Sequence, residues 1–190
     1  MKKIISVITF VFSLIYCKAQ EQIFPLTTMN NELPPNSYIK DTENQLPVFE
    51  GTWKGTSDNK TFTVVFKKVK FFDTLAQKNP YYKDILWGKF QLKDAEGKIL
   101  FDNLSVEDQY SKIQGMRIHP SGKYELVYID PELCNKVGLI MMGFTGPSKK
   151  ELKFRYKDYP QPLDSSCFYF GKPVDQQPDP LPKEIILTKQ

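Results

Sequence analysis

A mainly β fold is predicted for this chain: a single antiparallel meander of eight to nine strands, closed or nearly closed into a barrel. Three observations carry the prediction. From Phe49 onward, apolar and polar residues alternate with a period of two. Turn chemistry interrupts that alternation at short intervals, as at Ser57-Asp58-Asn59-Lys60 and His119-Pro120-Ser121-Gly122. The strand count is also high enough for the last strand to curl round and pair with the first, which removes both exposed sheet edges.

Each element follows from the residues in order. Residues 20 to 47 carry Pro25, Pro34, Pro35 and Pro47 among Asn, Thr and Glu and sustain no period, so they read as an irregular lead-in or tether to a domain over 48–190. Phe49 to Thr56 is the first strand. Thr61 to Val69 follows, with Phe62, Val64 and Phe66 on one face. Asp73 to Asn79 suits one helical turn, with Asp73 as N-cap and Pro80 as the stop. Asp84 to Lys93 sets Leu86, Phe90 and Leu92 against Ile85, Trp87 and Lys89. Asp94-Ala95-Glu96-Gly97 turns the chain into Lys98 to Phe101, Gly97 supplying the positive φ of a hairpin turn.

Ile113 to Ile118 and Lys123 to Ile129 form the next pair, the second placing Tyr124, Leu126 and Tyr128 together. Val137 to Phe144 is apolar on both faces, as in a central strand, and Gly146-Pro147-Ser148-Lys149 returns it into Glu151 to Tyr156. A proline-rich excursion over 157–183 precedes the closing strand, Glu184 to Lys189.

The first nineteen residues have the layout of a bacterial secretory leader. Lys2 and Lys3 precede an apolar run from Ile4 to Tyr16, and Cys17-Lys18-Ala19 is the small-residue exit. The run is too short to cross a ~30 Å hydrocarbon core as a helix. Two fates stay open: cleavage after Ala19, or a lipoprotein route in which Cys17 becomes the acylated first residue and anchors the protein to a membrane surface. The three lysines Lys2, Lys3 and Lys18 would leave with the leader, which cuts the net charge of +4 to near neutrality. That removes any electrostatic case for nucleic acid or for steering to anionic lipid. The remaining cysteines, Cys134 and Cys167, form an even pair in an oxidising compartment and are expected to be joined.

Gly51-Thr52-Trp53 at the start of the first strand resembles the Gly-x-Trp pattern of lipocalin-like (calycin) barrels. The resemblance implies that Trp53 closes the base of the barrel and that a basic residue near the last strand, here Lys189, packs across its indole. A second resemblance covers most of the chain. Cys17-Lys18-Ala19-Gln20, Tyr38-Ile39-Lys40-Asp41, Gly51-Thr52-Trp53-Lys54-Gly55-Thr56 and Ile185-Ile186-Leu187-Thr188-Lys189-Gln190 are similar to an uncharacterised family of small exported Gram-negative proteins, a domain of unknown function. It implies neither an activity nor a ligand.

Catalytic chemistry finds few carriers. His119 is the single histidine and sits in a turn, where a solvated residue is expected. No Gly-x-Ser-x-Gly is present, and one His with two separated Cys makes no zinc set. Glu125 and Glu151 face away from their apolar neighbours and are expected in solvent. Asp102, Glu107 and Asp108 read as a solvated acidic turn, and Lys67, Lys68 and Lys70 as a solvated strand edge. Phe168-Tyr169-Phe170 either lids the barrel mouth or packs on the outside of the sheet, the second being favoured.

The expectation is thus an exported, envelope-associated, non-catalytic binding protein without cofactor or metal, holding a small apolar or amphipathic ligand in its barrel. The alternative is a protein–protein interaction or scaffold module. Location would be the periplasm, the outer membrane through a lipid on Cys17, or the cell exterior.

Overall fold

The longest alternating run of the sequence becomes the longest hairpin of the computed structural model, which describes residues 21–29, 33–74, 79–159, 161–173 and 176–190. In chain order the strands are β1 (Gln22–Pro25), β2 (Ser37–Lys40), β3 (Gly51–Ser57), β4 (Lys60–Asp73), β5 (Tyr81–Lys93), β6 (Ile99–Asp102), β7 (Ile113–Ile118), β8 (Tyr124–Asp130), β9 (Lys136–Phe144), β10 (Glu151–Tyr159) and β11 (Glu184–Lys189). β4 and β5 pair from Thr61 opposite Lys93 to Asp73 opposite Tyr81.

Eight of the strands close a ring in the order β5, β4, β3, β11, β10, β9, β8, β7, with β7 pairing back to β5 at Ile113–Gly88 and Gln114–Trp87. The last strand meets the first of the ring at Lys189–Trp53 and Thr188–Lys54, which is the closure that the meander implies. β6 lies off the ring and pairs only with the end of β5. A bulge between Leu92 and Lys93 turns β5 away there, leaving its middle free for β7.

Period-two patterning sets the core. Phe62, Val64 and Phe66 of β4, Phe90 and Leu92 of β5, Tyr124, Leu126 and Tyr128 of β8, and Leu152, Phe154 and Tyr156 of β10 are all buried inside the ring. Side chains fill the axis. Phe62 stands 5.7 Å from Phe90 and 5.5 Å from Phe154, ring to ring. Two glycines make room for tyrosines crossing the interior: a Cβ on Gly115 would strike the Tyr124 hydroxyl, and one on Gly138 the Tyr156 ring.

Three expectations change. The stretch 20–47, read as a lead-in, holds β1 and β2, which pair parallel with each other and, through Tyr38 and Ile39, with β5. Leu26, Leu33, Ile39 and Leu46 bury themselves there against the part of the β4–β5 hairpin that runs past the ring. Strands this short, one of them ending on Pro25 and the other buried on consecutive residues, leave no alternating trace in the sequence. Asp73, expected to cap a helical turn, is the last residue of β4; residues 75–78 of that turn lie outside the described residues. β10 runs on to Tyr159, so the first residues of the excursion 157–183 are strand, paired to Leu139, Gly138 and Val137 of β9. The leader 1–19, with Cys17, lies outside the described residues.

Candidate functional site

Both ends of the barrel are closed, and each carries a cleft. At the first end, Pro47–Phe49 makes a 3-10 turn that tucks Phe49 under the ring. Its ring stacks on Phe144 at 4.6 Å and on Tyr124 at 5.9 Å. Trp53 is fully buried beside it and donates its indole N–H to the Phe49 carbonyl at 2.7 Å. The Lys189 ammonium lies 5.3 Å from the indole centroid and donates to the Val48 carbonyl at 3.2 Å. Gly51, Trp53 and Lys189 thus come together at the base of the barrel. Gly51 adopts φ 105°, a backbone that only glycine takes readily, as the chain swings from the 3-10 turn into β3.

An open cleft of about 500 Å³ borders this plug. Met141, Val48 and Phe144 give it an apolar floor, and Lys123, Lys149, Lys153 and Arg155 a basic rim. Nearby, Glu125 faces outward as expected but is buried, accepting from His119 Nε2 at 2.8 Å and from Arg117 at 3.1 Å. The His119 turn folds back onto β8, so neither residue is the freely solvated group that the sequence suggested. Glu151 does keep to the surface, bonded to the Thr145 hydroxyl at 3.0 Å.

The second end is polar. The Tyr128 hydroxyl donates to Asp130 at 2.6 Å and that of Tyr156 to Asp158 at 3.1 Å, the two rings meeting edge to face at 5.8 Å. Lys112 bridges Asp130 at 2.8 Å and Glu132 at 2.6 Å, and Lys136 reaches Asp158 at 2.6 Å. Burial, reinforced by the adjacent carboxylates, pushes both phenols far above the ordinary tyrosine range. Burial pulls the Lys112 ammonium down, but its bonds to Asp130 and Glu132 outweigh this and leave it raised. The underlying signal is a repeated Tyr-x-Asp, Tyr128-Ile129-Asp130 and Tyr156-Lys157-Asp158, at the same end of two strands. Sequence reasoning passed over it because each Tyr read simply as core.

The excursion is fastened at this end by a disulfide between Cys134 and Cys167, as expected, with Cα atoms 5.6 Å apart. Cys134 sits at φ 59° in the turn after Asp130, whose side chain caps Glu132 N–H at 3.1 Å. Tyr169, Leu133 and Leu163 line a second cleft of about 500 Å³ under the loop. Phe168 and Phe170 do not pack on the sheet as favoured above: they are 75 % and 55 % exposed. The cystine and Leu181, which is buried, hold the loop in place of those rings. Lys172 stands 3.8 Å over the Phe168 ring.

The remaining charged candidates are also engaged. Lys67 and Lys89 both pair with Asp108, at 2.5 and 2.7 Å, and these bonds, Lys67 first, hold the Asp108 carboxyl at about 2. Lys68 is drawn inward to the buried Asp41 at 3.1 Å and Asp84 at 3.5 Å, and Lys70 stands 3.9 Å over the Tyr38 ring. β4 is flanked on both sides inside the sheet, so these lysines serve the N-terminal layer and the 103–112 loop instead of guarding an edge.

The family model for the Family of unknown function (DUF6705) matches residues 1–190. The chain belongs to that family. No curated protein and no solved structure matches it. As a member of DUF6705 it thus pairs a closed eight-strand antiparallel barrel, with further strands outside the ring, with no assigned activity.

Proposed function

We propose that this DUF6705 member is a non-catalytic interaction module of the cell envelope, engaging a protein partner with the loop at the second end of its barrel. The observation that carries this is the pair of exposed rings, Phe168 and Phe170, on a segment tied to the barrel by Cys134–Cys167. Aromatic side chains presented on a fixed support are the usual anchors of protein–protein contacts, because they bury much area at little cost in conformational freedom. A cystine in the described domain and a leader-like segment at 1–19 favour export. The competing idea of a ligand enclosed in the barrel is weaker, since Phe62, Phe90, Leu126, Phe154 and their neighbours occupy the axis.

Capture from envelope extract tests the proposal. The wild-type chain should retain a protein that the Phe168→Ala/Phe170→Ala variant loses, with the thermal midpoint of the variant unchanged. Identical captures by both chains would refute the loop as the contact. A stoichiometric small molecule seen by native mass spectrometry would return the enclosed-ligand reading to first place.

A further inference from the structure

We propose that the cleft at the first end of the barrel binds a small amphipathic anion: a carboxylate or phosphate head carrying a medium-length apolar tail. This goes beyond the interaction role of the loop and does not rest on it, because the two lie at opposite ends of the ring.

The argument begins with charge. Several lysines elsewhere in the fold have carboxylate partners: Lys67 and Lys89 share Asp108, Lys112 takes Asp130, and Lys136 takes Asp158. The cleft gathers cations with less counter-charge than those sites. Among the described residues, four cations, Lys123, Lys149, Lys153 and Arg155, line it against one carboxylate, Glu43. Lys153 and Arg155 divide a single carboxylate, Glu184, at 2.6 and 2.7 Å. Among the described residues, no carboxylate forms an ion pair with Lys123 or Lys149. Glu43 is turned to the Gln45 amide at 2.6 Å. Like charges gathered without counter-charge repel, and an anion placed among them relieves that repulsion.

Shape supplies the second half. Beneath the rim the floor is apolar and partly uncovered: Met141 faces out of the barrel, Phe144 is half-buried, and Val48 packs on the edge of the core. The Lys123 stem lies close over Gly143, where even a Cβ would come within 3.2 Å of its Cγ. Glycine there keeps the floor low and lets the lysine reach across it. A cleft of about 500 Å³ falls within the size range of small-molecule sites. Inorganic phosphate alone would leave the floor wet, and a neutral hydrocarbon would leave the cations unanswered. A head between Lys123 and Lys149 with its tail over Met141 and Phe144 satisfies both. Methionine suits such a floor, since its flexible thioether adapts to the tail it covers.

The test uses the protein labelled with 13C at its methionine methyls, followed by NMR during titration. The probes are decanoate and decyl phosphate below their micelle concentrations, decyltrimethylammonium as the cationic control, and inorganic phosphate as the tail-free control. The Met141 methyl signal should move with one or both anionic amphiphiles while those of Met29 and Met116 stay. Whichever of decanoate and decyl phosphate binds tighter identifies the head group. The Lys123→Ala/Lys149→Ala variant should show the same ligand-free spectrum and about tenfold weaker binding, and Lys123→Arg/Lys149→Arg near-normal binding.

A stationary Met141 signal with both anions, equal movement with decyltrimethylammonium, or undiminished binding by the double alanine variant would each overturn the proposal. So would inorganic phosphate moving Met141 as far as decyl phosphate does. The Phe168→Ala/Phe170→Ala variant should bind these probes normally, so that failure here and failure of the partner reading stay distinct.

Discussion

The two ends of this barrel are closed by opposite chemistries. At the first, Phe49, Trp53 and Phe144 make a dry aromatic plug whose central pair stands four residues apart in the chain. At the second, two tyrosines hand their protons' hydrogen bonds to Asp130 and Asp158, distant lysines neutralise those acids, and a cystine ties down the covering loop. An apolar plug draws its stability chiefly from area removed from water, a contribution that does not depend on protonation. A buried polar cap depends on every partner being present and correctly protonated. The contrast predicts that the ends will fail under different insults.

The largest effect should come from the dry end. Trp53→Ala removes a fully buried indole, its 2.7 Å bond to Phe49 and the surface on which Lys189 rests. A cavity of that size costs about 3–5 kcal/mol. Urea unfolding should show a lower midpoint with an unchanged slope. A loss under about 1 kcal/mol would mean that Phe49 and Phe144 close the end without it, and the plug would no longer be one cooperative unit.

Reduction strikes only the polar end. Cys134 and Cys167 are 33 residues apart, and opening a loop of that size costs about 3–4 kcal/mol in the chain-entropy account. Non-reducing peptide mapping should recover the two cysteines joined. With Cys134→Ser/Cys167→Ser, amide exchange should accelerate over 161–173 and leave Trp53 and its neighbours protected. Uniform acceleration through both ends would show that the loop and the barrel unfold together.

Legibility in the sequence follows the same divide. The ring strands were readable in place and order, β7 and β11 coinciding with Ile113–Ile118 and Glu184–Lys189, while β4, β5 and β10 run three or four residues beyond the spans read at one end. Strict alternation leaves one register that buries Phe62, Val64 and Phe66, so local pattern and global fold agree. Of the plug, Gly51, Trp53 and Lys189 were singled out in the sequence, while Phe49 and Phe144 were read only as strand ends. What escaped depends on contacts without a period: β1 and β2 are four-residue parallel pieces, and Lys68 turns inward only because Asp41 and Asp84 arrive from elsewhere. The basic cleft escaped for a related reason. Lys123 and Lys149 come from two separate turns and Lys153 from β10, and nothing in their spacing announces that they share a rim.

The finest discrimination between the ends lies in alkaline solution. Tyr128 and Tyr156 at the polar end are buried and held in their neutral form, well above the ordinary phenol value near 10, burial acting first and the neighbouring acids adding to it. Tyr124 at the dry end is raised too, mainly by burial, partly offset by the Leu86 N–H that its oxygen accepts. Below pH ~10 the folded and unfolded chains hold these protons equally, so the stabilisation is fully present. Above it the unfolded chain ionises while the folded one does not. The folded state then binds more protons, and stability falls by about 1.4 kcal/mol per pH unit for each phenol. Tyr128→Phe/Tyr156→Phe should therefore flatten the decline of the urea midpoint between about pH 10 and 11.5 by two such shares, and Tyr124→Phe by one. Equal slopes in the wild type and the double variant would show that the polar end opens to solvent before its tyrosines ionise, making it the weaker of the two closures.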